Sequence, residues 1–456
     1  MGKTMDVEVG LLGTVEVLHE HLTAAVCASV FDAERITERR RVWTLEKLAE
    51  FWTAVILRAP QSLKQALEEA RGGEGGFTDV GSSDQAFFAR CQDLRPEFFQ
   101  GLFEAFTKRV LEKEPPSFQE DLREVGSRFA GLWVVDGSGL DAIAHRLKVL
   151  WDERAVVLPG SITAFYDLFQ GVPRVLRFHE EAGAGELLRA EEALAEVPAG
   201  TLVIGDRAFG VPRFFESLSK RGIYGLARRT KTVKLRTLEV LSRKEDGDTV
   251  LQDSIVEAGV GSAGVPPQRI RCIYLRRGKK VLRLLTNVLD PALLSATEAL
   301  ALYRRRWSVE RMFFDLKEVL NLHRFYSANA NAVAMQIYAA AIVYVAMRTA
   351  QARIARAVGI PPERLSPAKL FPRVAAASAS FNWMKIAFRQ TQECNPGVRL
   401  REPPWAKLPE HRVAIASILV EPRKGRRRKR RYCAARRRHV SLHHFTRKNL
   451  TKKRRR

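Results

Sequence analysis

At 456 residues the chain exceeds what one ordinary hydrophobic core organises, so several domains are expected. It carries 76 Lys+Arg against 51 Asp+Glu, a formal charge of +25, and the excess is concentrated at one end: Pro422 to Arg456 holds 18 Lys+Arg and no acid. Five scattered cysteines (Cys27, Cys91, Cys272, Cys394, Cys433) without a CxxC pair exclude a disulfide framework or a structural zinc site and suit a reducing, cytoplasmic setting.

The start, MGKTMDVEVG, lacks the apolar core of a signal peptide. From Thr44 the chain turns helical, with Leu45, Leu48, Phe51, Trp52, Val55 and Ile56 on one face. Ser62-x-x-Gln65 and Ser82-x-x-Gln85 read as capping boxes opening two more helices. After the turn Leu94-Arg95-Pro96, Phe99, Leu102, Phe103, Phe106 and Val110 stripe another helix. Helices this short around a tight turn suit either a plain helical hairpin or a DNA-reading helix-turn-helix, with Lys64, Arg71, Arg90 and Arg95 as candidate phosphate contacts.

Past Pro115-Pro116 the texture changes. Gly131–Val135 is a continuous apolar run ending in Asp136-Gly137-Ser138-Gly139, the pattern of a buried strand entering a turn. Strands are expected near Ala155–Leu158, Ala164–Gln170 and Arg174–His179, then a helix over Gly185–Glu196. Thr201–Ile204 is a second apolar strand, ending in Gly205-Asp206; a helix over Pro212–Lys220 and a strand over Ile223–Ala227 follow. Residues 231–288 look β-rich, with strands at Val233–Val240, Ile270–Leu275 and Val281–Val288. Pro291 to about His323 reads as one helix, and Ala330–Ala355 as a second, whose apolar run Ala332–Met347 is interrupted by Gln336 and is short for a bilayer, hence buried.

Within the first of these helices, Tyr303, Arg306, Glu310 and Lys317 fall in an arc of roughly 60° at about 100° per residue. Asp136 and Asp206 each end an apolar strand beside a glycine, where a charge is costly to bury without a partner. Three convergent carboxylates suit hard, oxygen-preferring Mg²⁺ or Mn²⁺. Two such ions about 4 Å apart serve phosphodiester cleavage, activating the nucleophile and stabilising the leaving oxygen.

The spacing Tyr303-x2-Arg306-x3-Glu310-x6-Lys317, with Asp136-Gly-Ser and Asp206 upstream in order, resembles the signature of DDE transposases of the insertion-sequence-four family. The resemblance spans roughly residues 80–350. It implies an α/β, ribonuclease H-like catalytic core with a β-rich insertion, flanked by an N-terminal helical domain and a C-terminal helical region with a basic tail. The implied layout is a DNA-binding region over 1–127, the core over 128–230 and 289–350, the insertion over 231–288, a helical region over 351–421 and a tail over 422–456. It further implies Asp136, Asp206 and Glu310 as catalytic ligands of two Mg²⁺ ions. Tyr303, Arg306 and Lys317 would contact DNA phosphates, with Arg304, Arg305 and Arg311 extending the track.

The implied activity is binding of terminal inverted repeats, metal-dependent cleavage and strand transfer by a homodimer on double-stranded DNA, in a bacterial cytoplasm and without a membrane partner. A catalytically silent DNA-binding relative and a plain metal-dependent nuclease are the alternatives. Family members place in the insertion a tryptophan that stacks on a flipped base; this chain has no Trp between Trp151 and Trp307, and Leu282 stands at the corresponding place.

The polybasic tail pairs with a polyanion, and it lacks the apolar face of an interfacial anchor, so nucleic acid is the expected partner. Deleting residues 422–456 is expected to flatten the salt dependence of nonspecific DNA binding, lowering the slope of log K against log salt by several units, since each phosphate neutralised contributes about 0.9. Filter binding across a salt series reads this directly.

Overall fold

The computed structural model describes residues 8–11, 13–33, 42–72, 83–139, 160–180, 185–259, 266–322, 324–327, 329–376 and 412–420. A short strand β1 (Glu8–Gly10) precedes six helices: α1 (Gly13–His21), α2 (Ala24–Ala33), α3 (Leu45–Arg58), α4 (Leu63–Arg71), α5 (Asp84–Asp93) and α6 (Pro96–Lys113). Short polar side chains start three of them by accepting an orphan backbone N–H. Thr44 accepts from Lys47 N at 3.3 Å, Ser62 from Gln65 N at 3.1 Å and Ser83 from Ala86 N at 3.3 Å. The cap of α5 is therefore Ser83, one residue beyond the serine that the spacing indicated. At α4 the Gln65 side chain accepts from Gln61 N rather than closing the box on Ser62.

After a single-turn α7 (Arg123–Gly126) the sheet begins. Its strands are β2 (Gly131–Gly139), β3 (Ser161–Asp167), β4 (Val172–His179), β5 (Thr201–Gly205) and β6 (Tyr224–Arg228), with α8 (Glu186–Ala193) before β5 and α9 (Pro212–Ser219) before β6. The insertion supplies β7 (Leu235–Asp246), β8 (Thr249–Ala258), β9 (Gln268–Arg277) and β10 (Lys280–Thr286). Strand order is β4-β3-β2-β5-β6-β10-β9-β8-β7. The β2-β5 and β5-β6 pairs are parallel and all the others antiparallel.

The insertion is thus no separate block but a continuation of the same sheet, joined where β10 pairs β6. Strand β8 carried no sequence signal distinct enough to be expected, and the strand expected at Ala155–Leu158 lies outside the described residues, as does the polybasic tail.

Helices α10 (Ala296–Arg304) and α11 (Trp307–Phe314) follow, then a π-helical turn over Asp315–Val319 and α12 (Ala330–Val358). The single helix expected from Pro291 to His323 is corrected here. At Arg305 and Arg306 the bonding tightens to i→i+3 (Arg306 N to Tyr303 O, Ser308 N to Arg305 O), and after Phe314 it loosens to i→i+5, with Leu320 N on Asp315 O at 2.9 Å. The tight turn separates Tyr303 from Glu310, so the common arc drawn on an ideal helix does not hold.

Pleating divides the sheet between two cores. Leu132, Val134, Leu202 and Ile204 face the larger one, which also takes α3, α6, α10, α11 and α12 and runs from Val17 to Phe371. Trp133, Val135 and Val203 face the other, beneath α8, α9 and the insertion. The N-terminal helices therefore share one core with the sheet. α12 is capped by Asn329, ends at left-handed Gly359 and buries almost every side chain from Ala332 to Ala355. It is the one helix among the described residues long and apolar enough to cross a membrane, and here it lies inside the fold.

One buried ion pair fixes the insertion to the helices. Arg271, fully buried, donates Nε to Asp253 Oδ1 at 2.7 Å and Nη1 to the Leu294 carbonyl at 2.6 Å, one residue before the cap of α10. Removing one partner strands a desolvated charge, whereas replacing both with apolar groups does not. Asp253→Ala is expected to destabilise by about 3–5 kcal/mol and the double variant Arg271→Met, Asp253→Leu by much less; urea unfolding of both distinguishes them.

Candidate active site

Register builds the site. In the parallel β2-β5 pair Val134 stands opposite Ile204. Asp136 lies two residues past Val134, and Asp206 two past Ile204, so period two sends both carboxylates to the same level and the same face. That face is the one covered by α10, α11 and α12. Asp136 is 7% exposed. Asp206, just beyond the end of β5, is half-buried, and its Oδ1 accepts from Ala208 N at 2.6 Å.

A carboxylate that the sequence did not single out joins them. Glu186 is the first residue of α8, and its Oε1 accepts from Gly137 N at 2.8 Å; the same N–H approaches Asp136 Oδ1 at 3.0 Å. Burial, then the negative charges of Glu186 and Asp206, push the Asp136 carboxyl up to about 8, only partly opposed by Arg306. The signal that could have found Glu186 was its position as the first turn of the helix between β4 and β5, but spacing alone gives no reason to prefer it over Glu180 or Glu181.

From α11, Glu310 is partly exposed and pairs with Arg306 (Nη1 to Oε1 2.7 Å). Arg306 is itself buried, lies over the Trp307 ring at 4.8 Å and has its charge on Asp136 as well. Tyr303 is half-buried at the end of α10 and hydrogen-bonds Arg306. Lys317, carried by the π-helical turn, donates to Ser138 Oγ at 2.6 Å and to the Gly139 carbonyl at 3.0 Å, so it grips the far end of β2. Tyr303, Arg306, Glu310 and Lys317 are thus gathered at the ends of β2 and β5 despite the break in the helix.

The remaining cations divide. Arg304 is exposed, Arg305 pairs with Asp121, and Arg311 is exposed between Asp315 and the Phe314 ring. Trp307, 65% exposed, and Phe314 flank Arg311 along α11, an aromatic feature of the site that the sequence left without a role. Leu282, by contrast, is half-buried on β10 and packs against the larger core. Of the N-terminal candidates, Arg90 is corrected: it is buried, with Nε donating to the Trp43 carbonyl at 3.1 Å. Arg71 pairs with Asp84 at 2.7 Å, and Lys64 faces Glu68 at 3.9 Å.

A bound divalent cation suits this donor set. Asp136, Asp206, Glu186 and Glu310 offer only oxygens, and the burial of Asp136 together with the negative charges of Glu186 and Asp206 beside it is what a hard cation would offset. The oxygens of Asp136, Asp206 and Glu310 do not lie in one shell of 4.8 Å; among the described residues that spread is met by Glu20, His21 and Glu114. There Arg353 already neutralises both acids, donating to Glu20 at 2.7 Å and to Glu114 at 2.7 and 2.8 Å, which makes that trio a structural tie of α1, α6 and α12.

Comparison with known proteins bears on the same region. Residues 161–346 match the family model described as Transposase DDE domain. The matched span includes Asp206, Glu310 and the whole of Tyr303–Lys317 and begins downstream of Asp136. A protein of Sinorhizobium fredii (strain NGR234) named "Putative transposase y4zB" is 36% identical over 122 residues, 26% of this chain and 33% of that protein, so the match spans a third of the relative's length. Among solved structures, the cryo-EM structure of the piggyBac transposase synaptic complex with hairpin DNA covers 89% of this chain and 88% of its own, with a TM-score of 0.41 and 10% identity.

The raised Asp136 gives a signed pH dependence. The unfolded chain releases this proton near pH 4, while the folded protein holds it to about pH 8, so the folded state binds the extra proton between these limits and loses stability as pH rises through them. In metal-free buffer Asp136→Asn is expected to melt above wild type, by a margin that widens from about pH 5 to about pH 8. Added Mg²⁺ should raise the melting temperature of wild type only. Differential scanning calorimetry reads both; a constant margin would contradict the burial of this charge.

Proposed function

We propose that the chain is a DNA transposase that binds the terminal inverted repeats of its own element, cleaves phosphodiester bonds and joins the freed ends to target DNA. The observation that carries this reading is the placement of Asp136 and Asp206 side by side, beneath a helix that brings Glu310, in a chain matched across 161–346 by the transposase DDE domain. The sheet supports the ribonuclease H-like reading: β3 alone runs antiparallel among the first five strands in the order β4-β3-β2-β5-β6, while β4, β5 and β6 run parallel to β2.

Asp136, Asp206 and Glu310 would hold two Mg²⁺ ions, with Mn²⁺ able to substitute. When bound, such ions lower the pKa of the attacking water or 3′-hydroxyl and offset charge at the leaving oxygen. The chain's own residues prepare the rest. Arg306 neutralises Glu310 while no substrate is present, and its planar guanidinium can turn to fork two phosphate oxygens. Tyr303 orients that guanidinium through a hydrogen bond. Lys317 offers a point charge at the tip of β2, and Arg304 and Arg311 extend the positive track over exposed surface.

Trp307 and Phe314 present flat faces beside Arg311, suited to bases or sugars of a strand lying on α11. The polybasic tail adds nonspecific phosphate contacts. Pairing of two DNA ends in one complex implies a homodimer on DNA, working in the bacterial cytoplasm.

The test uses wild type and Glu310→Ala on DNA carrying the element's ends. Wild type is expected to nick in Mg²⁺ and to join ends to a target plasmid; Glu310→Ala should bind equally and nick about 100-fold more slowly or worse, as loss of a metal-organising group does. Denaturing gels follow both strands. Normal cutting by Glu310→Ala would remove this residue from the site. Binding without nicking by wild type would mean a silent relative, and cutting without joining a plain nuclease.

A further inference from the structure

We propose that Glu186 is a fourth acidic group of this centre, a positioning residue that locks the Asp136–Gly137 backbone and adds its negative charge to the divalent-cation seat beside Asp136. The inference rests on the metal-centre reading above and extends it to a residue outside the Asp, Asp, Glu pattern.

The geometry makes the case in three steps. First, Glu186 arrives from the opposite side of the sheet. α8 packs with Trp133 and Val135 on the smaller core, whereas Asp136 points to the larger one. Only at the ragged end of β2 can a residue from one face reach the backbone serving the other. Secondly, Gly137 opens the way. A Cβ at this position would point toward the α8 side and meet Glu186 Oε1 at 2.9 Å, Cγ at 3.1 Å and Cδ at 3.2 Å. The carboxylate occupies the space that every other residue would fill, which gives the glycine of the Asp136-Gly137 pair a reason beyond turn formation.

Thirdly, the charge is the wrong choice for a purely structural cap. A neutral amide oxygen would accept from Gly137 N without repelling Asp136 and Asp206, yet the chain places a carboxylate there. Among the described residues no Lys or Arg forms an ion pair with Glu186. Its neighbour one turn on, Arg189, is engaged with Ser161. Charge of one sign from Asp136, Asp206 and Glu186 is thus collected with Arg306 as the cation acting on Asp136. A divalent cation supplies the missing compensation, and Glu186 strengthens its hold while fixing the rotation of the strand end that aims Asp136.

The two contributions separate on substitution. Glu186→Gln keeps an acceptor for Gly137 N and removes the charge; Glu186→Ala removes both; Gly137→Ala pushes the carboxylate away. Mn²⁺ affinity of the full-length protein, read by electron paramagnetic resonance, is expected to weaken about tenfold or more in Glu186→Gln and in Gly137→Ala, and further in Glu186→Ala. Nicking by Glu186→Gln should need correspondingly more Mg²⁺ and recover at high Mg²⁺, with an unchanged melting temperature in metal-free buffer or a raised one.

Glu186→Gln binding Mn²⁺ like wild type, while Asp136→Asn does not, would overturn the assignment of Glu186 and leave the centre intact. Wild-type Mn²⁺ binding in both Asp136→Asn and Glu186→Gln would overturn the centre itself.

Discussion

The site depends on one register. Val134 opposite Ile204 in the parallel β2-β5 pair decides that Asp136 and Asp206 lie level and on one face. A slip of one residue would turn one of them toward the other core and put Val135 or Gly137 where Asp136 now stands. The register is held by burial on both sides: Leu132, Val134, Leu202 and Ile204 on one face, Trp133, Val135 and Val203 on the other. The strands that carry the chemistry are therefore central in the sheet, with β3 and β4 to one side and β6 and the whole insertion to the other, and the charged residues sit only where the apolar runs stop.

The helical side of the site is built by departures from regular helix. Tightening at Arg305–Arg306 redirects the chain between Tyr303 and Glu310, and the π-helical turn over Asp315–Val319 redirects it again before Lys317. Neither has a glycine or proline as its cause. Packing drives them: Val309, Met312, Phe313 and Leu316 remain buried in the core on the sheet side throughout, while Arg306, Glu310 and Lys317 are brought to the ends of the strands. Two cations then reach from the helical segment to β2, Lys317 through hydrogen bonds to Ser138 and Gly139 and Arg306 through its charge on Asp136. The buried Arg271–Asp253 pair, reaching the carbonyl of Leu294, anchors the insertion to the start of the same helical segment.

Much of this was legible in the sequence because the relevant signals are local. Apolar runs that end in Asp mark Gly131–Gly139 and Thr201–Gly205, and helical spacing marks α3, α6 and α12. What spacing cannot show is pairing. Nothing in residues 231–288 says that they prolong the central sheet, since antiparallel hairpins read alike whether isolated or annexed; β8, with Gln252, Asp253 and Ser254 in its middle, does not even read as a buried strand until Arg271 is placed opposite Asp253.

The continuous helix over the Tyr303–Lys317 stretch was expected because its sequence has no breaker, and tertiary packing overrode that propensity. Glu186 was missed for a related reason. Its meaning lies in the empty side of Gly137, a contact between residues far apart in the chain, and Arg90 was misjudged because a cation on a short helix gives no hint that it will be buried against Trp43.

The central claim is that the ends of β2 and β5, with α11, form one divalent-cation centre. Fe²⁺ exchanged for Mg²⁺ in the full-length protein, followed by ascorbate and peroxide, cuts the backbone within reach of the bound ion, and the fragments are mapped by mass spectrometry. Cuts clustered around Asp136, Asp206 and Glu310, suppressed by excess Mg²⁺ and lost in Asp136→Asn, are the predicted result. Cuts around Glu20 and Glu114 instead, or a pattern unchanged in Asp136→Asn, would contradict it.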